Sequence, residues 1–148
     1  MSRNKARTVA MQALFQLDTY AEDVWNVLED RAQEEGLDDN DVEYLRNITK
    51  QVVANLDAID KYISNYSIDW ELSRLGKVER AILRLAIGEM LFAGDIPVSV
   101  AINEAVRLAK KFGSEQAAKF INGILGKFSR EQMPQPSPRA GNNGNGTG

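Results

Sequence analysis

The sequence predicts an all-α protein, and three observations carry that expectation. Apolar residues return every three or four positions in one segment after another. Helix punctuation falls between those segments, with stops at Gly36, Gly76 and Gly113 and caps at Asp38 or Asn40 and at Ser114. No stretch alternates apolar and polar residues as a half-buried strand would.

In order along the chain, a first helix over 4–19 aligns Ala6, Ala10, Ala13, Leu14 and Leu17 on one stripe, leaving Arg3, Lys5, Arg7, Gln12 and Phe15 largely off it. A second over 22–35 buries Val24, Val27 or Leu28, and Ala32. The third is long, with Val42, Leu45, Val52, Leu56, Ile59 and Ile63 in a 3-4 spacing broken only by Thr49. That pattern also suits a coiled coil, but it lacks paired flanking charges and runs for too few heptads, so an intramolecular bundle is the expectation. Ser67 to Asp69 breaks the chain, and Trp70, Leu72 and Leu75 form a short helical turn.

The segment 78–92 is apolar around most of its circumference, which places it at the centre. Gly88 interrupts it at a cost of about 1 kcal/mol relative to alanine, so a close helix crossing is expected there. Two final helices, 99–112 and 115–130, bury Ala101, Ala105, Leu108, Ala109 and Phe112, then Ala118, Ile121, Leu125 and Phe128. Residues 1–131 form one helical domain in this reading. Residues 132–148, with three prolines and four glycines after Met133, read as a disordered tail that cannot repay its ordering entropy.

The 148 residues include neither cysteine nor histidine, which removes thiolate and imidazole chemistry and predicts no metal and no cofactor. A basic N-terminus without a long apolar run is not a signal peptide, and no segment reaches spanning length. A soluble cytoplasmic protein without a membrane role is expected. The net charge of −3 hides a segregation: Asp18 to Glu43 holds eleven acidic residues against Arg31 alone. Both ends are basic, through Arg3, Lys5 and Arg7, and through Arg107, Lys110, Lys111, Lys119, Lys127 and Arg130. Solvated helix faces often look like this, so charge alone names no partner.

Three blocks then carry a resemblance: ARTVAMQALFQLD at 6–18, LGKVERAILRLAIGEM at 75–90, and IPVSVAINEAVRLAKKFGSEQAAKFINGILGK at 96–127. The chain resembles the bacterial transcription antitermination factor NusB family over about residues 3–130. The resemblance implies about seven helices in two small bundles packed across one another. It also implies binding of single-stranded boxA RNA in ribosomal RNA leaders together with the ribosomal protein NusE, within the RNA polymerase antitermination complex.

Site residues follow from the same resemblance. Arg3, Asn4, Lys5 and Arg7 stand where the family has an arginine-rich turn, Gln12 and Phe15 match a glutamine and an aromatic, and Lys119, Phe120 and Asn122 match the KF-x-N core, with Gln116 nearby. Unpaired bases suit such readout, because they expose a π-face and a Watson–Crick edge. Phe120 lies off the stripe of Ala118, Ile121, Leu125 and Phe128, whereas Phe15 stays open between core and RNA contact. Glu79 and Arg80, with Arg74 and Lys77, correspond to the NusE-binding surface. The resemblance leaves self-association as a homodimer open.

An enzyme is not expected. Asp38, Asp39 and Asp41 lack the glycine and terminal glutamate of a calcium loop. Two alternatives stand beside the antitermination reading: a detached NusB-like domain of a ribosomal-RNA methyltransferase, and a DNA-binding helix-turn-helix in LAKKFGSEQAAKFING, whose second helix offers only Lys119 and Lys127 as strong phosphate contacts.

Overall fold

The computed structural model describes residues 3–67 and 75–133. Among them are seven α-helices: α1 (Arg3–Phe15), α2 (Val24–Glu34), α3 (Asp39–Ala54), α4 (Leu56–Tyr66), α5 (Lys77–Phe92), α6 (Val98–Phe112) and α7 (Glu115–Gln132). The turn expected around Trp70 and Leu72, and the tail from Pro134 onward, lie outside the described residues.

Helix α5 organises the rest. Every residue from Ala81 to Met90 is buried, as its apolar circumference predicts. Helices α1 and α3 pack on it together with α2, which packs on both of them, and α4, α6 and α7 form a second group around the same helix. The two bundles therefore share one central element. Gly88 is where α3 crosses it: a Cβ there would overlap the Val52 Cγ2 methyl, so the glycine permits the close approach expected at that position.

Local chemistry sets the boundaries. Gly36 takes a positive φ of 66° after α2, and the Asp38 carboxylate accepts from the Asp41 N–H at 2.8 Å to start α3. The Ser114 hydroxyl accepts from the Ala117 N–H at 3.0 Å to start α7. Across the seam between α4 and α7, Tyr62 and Tyr66 meet the Phe128 ring edge-on at 5.1 and 6.0 Å.

Several expectations are corrected. The long third helix is two helices, broken at Asn55, whose side-chain amide donates to the Gln51 carbonyl at 2.8 Å. Such a side chain competes with the backbone ladder, and the apolar spacing, which continues across Asn55, concealed it. On α3, Ile48 and Thr49 are buried, while Val42 and, at the start of α4, Leu56 are only half-buried. The first helix ends at Phe15 and continues as a 3-10 turn over Gln16–Asp18. Phe112 is 37% exposed rather than buried, with Lys111 Nζ 5.4 Å from its ring centroid.

Candidate nucleic-acid interface

On α1 the buried positions Ala6, Arg7, Val9, Ala10, Met11, Ala13 and Leu14 leave one stripe with solvent access. It runs from Arg3, Asn4 and Lys5 in the first turn through Thr8, Gln12 and Phe15, the last four of these at i, i+3, i+7 and i+10. Lys5 is exposed; Thr8, Gln12 and Phe15 are half-buried. Phe15 packs against the core and is half-buried, which leaves part of its ring accessible. Thr8 belongs to the same stripe, although its identity alone had not marked it.

The other two basic residues of this end are occupied inside the molecule. Arg3 sits 4.0 Å above the Tyr44 ring centroid and 3.8 Å from Asp41. Arg7 is buried, donating through Nε to Glu89 at 2.9 Å, with its Nη1 3.9 Å from Glu104. The structure therefore places the Arg7 side chain inside the protein rather than on the solvent-facing stripe. Its charge is consumed in joining α1, α5 and α6. Tyr44 also donates its hydroxyl to Glu89, and burial raises the Glu89 carboxyl above the usual carboxylate range despite the pull of Arg7.

On α7, Gln116, Lys119 and Asn122 are exposed while Ala117, Ala118, Ile121, Ile124, Leu125 and Phe128 are buried. Phe120 sits at the boundary, half-buried against the core, as its offset from the apolar stripe predicts. Helix α6 connects the two basic ends: Glu104 receives Arg107 at 2.8 Å and lies beside Arg7, while α6 and α7 pack as a hairpin.

The partner-surface residues divide. Lys77 is exposed, with Nζ 3.5 Å from the Thr19 hydroxyl. Arg80 donates to Asp18 at 2.9 Å and to the Leu75 carbonyl at 3.2 Å, which ties it to the chain after α1 rather than offering it outward. Arg74 lies outside the described residues. Glu79 folds back over Gly76 and approaches Gly113. It lines a cleft of about 270 Å³ with Gln116 and Phe120, so a candidate partner residue and two candidate RNA residues meet in one depression.

Two buried charges were missed by sequence reasoning. Arg84 donates to Asp60 at 2.8 and 2.9 Å and to Asp18 at 2.9 Å; burial disfavours its charge, but the two carboxylates outweigh it and raise its pKa. Arg84 and Glu89 stand in the otherwise apolar stretch of α5 from Ala81 to Phe92, which was the available signal that each needs an internal partner.

Residues 4–130 match the NusB family. The chain is 44% identical over 133 residues to the transcription antitermination protein NusB of Acetivibrio thermocellus, across 90% of this chain and 92% of that one. To its counterpart in Bacillus subtilis it is 41% identical over 132 residues, across 88% and 97%. The structure of T. maritima NusB shares the fold with a TM-score of 0.83 at 38% identity, over 90% of this chain and 94% of that chain. A crystal structure of antitermination factors NusB and NusE in complex with dsRNA gives a TM-score of 0.78 at 28% identity, over 86% and 96%. No helix among the described residues is long and apolar enough to cross a membrane.

Proposed function

The chain belongs to the NusB family, and from that premise we propose that it is a transcription antitermination factor binding single-stranded boxA-type RNA of ribosomal RNA leaders together with the ribosomal protein NusE. It works as a binding protein in the cytoplasm, within the RNA polymerase antitermination complex, and not as an enzyme.

The observation that carries the RNA reading is the division of α7. Its apolar stripe is buried while Gln116, Lys119 and Asn122 face solvent beside the half-exposed ring of Phe120. Cations guide the phosphates, an aromatic edge stacks a base, and amides meet base edges. Lys5, Gln12 and Phe15 supply the same three chemistries on α1, with Arg3 at its margin. Lys77 and Glu79 at the start of α5 are the NusE-facing residues in this reading, and the cleft that Glu79 shares with Phe120 supports a partner lying next to the RNA. Arg7 and Arg80 act behind these faces, by holding α1 and α5 in place.

Titration of the protein with a labelled boxA-type single strand, a duplex DNA and S-adenosylmethionine tests the reading. Binding of the single strand that tightens when NusE is added is expected. Preference for duplex DNA would favour the helix-turn-helix, and uptake of S-adenosylmethionine would favour the methyltransferase-derived domain.

A further inference from the structure

We infer that Arg31 is a specificity-determining residue: it fixes the side-chain amide of Gln12 so that the NH2 group, not the oxygen, faces the proposed RNA path and favours uracil or guanine, which carry a keto oxygen where cytosine and adenine carry an amino group. The inference rests on the RNA-binding reading of the α1 stripe.

Arg31 is the one basic residue between Asp18 and Glu43, on α2. Its Nε donates to Gln12 Oε1 at 3.0 Å, its Nη1 to Glu34 at 2.6 Å and its Nη2 to Glu35 at 3.2 Å. All three guanidinium nitrogens are thus engaged, and two carboxylates, Glu34 on the same helix and Glu35 at its C-cap, hold the group in place. A guanidinium has donors and no acceptor, so the amide atom facing it must be the oxygen. A flipped amide would set donor against donor.

The consequence falls on the opposite side of the amide. Gln12 lies between Thr8 and Phe15 on the α1 stripe, and among the described residues its Nε2 has no partner. With the oxygen turned toward Arg31, Gln12 presents its two N–H donors on the opposite side. At a Watson–Crick edge those donors suit the O4 of uracil or the O6 of guanine and oppose the N4 amino group of cytosine or the N6 amino group of adenine. A freely rotating glutamine would accept either kind of base.

The test measures affinity for a set of single-stranded RNAs in which each position in turn is exchanged between uracil and cytosine, or guanine and adenine. The wild type is expected to prefer the keto base at one position by about fivefold, the scale of one hydrogen bond. Arg31→Gln, whose amide can donate or accept, should bring that ratio to within about twofold, since a partner that accepts lets Gln12 turn. Because the ratio is taken within one protein, uniform weakening from the lost charge cancels. A keto preference that survives in Arg31→Gln overturns the inference, as does a wild type that binds RNA without one. NMR of the Gln12 side-chain NH2 in the free protein gives a second readout. Its signals should shift in Arg31→Gln, and unchanged signals overturn the inference whatever RNA does. A wild type that binds none of the RNAs overturns the reading of the face along with it.

Discussion

Arg7 donates to Glu89 at 2.9 Å inside the protein, with 6% of one side chain and 1% of the other left accessible. A basic residue of the N-terminal turn is therefore part of the core. Arg7→Met should leave the Glu89 carboxylate buried without its ion-pair partner, with the Tyr44 hydroxyl still donating to it, costing roughly 3–5 kcal/mol in chemical denaturation. The double variant Arg7→Met, Glu89→Leu should recover most of that loss. Any folded Arg7→Met protein should keep its RNA affinity, because the side chain meets other helices and not solvent.

The pH dependence of stability follows from the same carboxyl. Burial raises the folded pKa of Glu89 above its unfolded value, outweighing Arg7. The folded state then holds the Glu89 proton to higher pH than the unfolded state does, so this group's contribution is fully present below the unfolded value and declines as pH rises through the folded one. Thermal melts across that window should show a decline in the wild type that is smaller in Glu89→Gln.

Gly88→Ala places a methyl where the Val52 side chain of α3 already stands. Overpacking of this kind costs typically about 1–3 kcal/mol, more than the helix propensity gained. Combining it with Val52→Ala should cost less than the sum of the two single changes, measured as a coupling energy by urea denaturation.

Lys5→Ala and Lys119→Ala remove exposed cations from α1 and α7. Each should reduce the slope of log affinity against log salt by about 0.7 on single-stranded RNA, with the melting temperature unchanged. Arg7 is excluded from this series by its burial.

The apolar rhythm made the helices legible, and Gly88 announced the crossing at Val52, because helix packing repeats at a fixed spacing. Asn55 did not announce the break between α3 and α4, since its effect is a side-chain hydrogen bond invisible to periodicity. Among site residues, the exposure of Lys119 and the marginal place of Phe120 could be read from helical offset. The burial of Arg7 could not, because its partners Glu89 and Glu104 lie 82 and 97 residues away. Arg31 stood out in the acidic segment, yet nothing local tied it to Gln12.

The most direct measurement is the affinity of Phe120→Leu for a boxA-type single strand at fixed salt, with its melting temperature as the control. Leucine keeps the apolar contact with the core and removes the π-face. Loss of a stacked base should weaken binding by about 1–3 kcal/mol while the protein remains as stable as the wild type. Unchanged affinity in a folded Phe120→Leu protein would contradict the assignment of α7 to RNA.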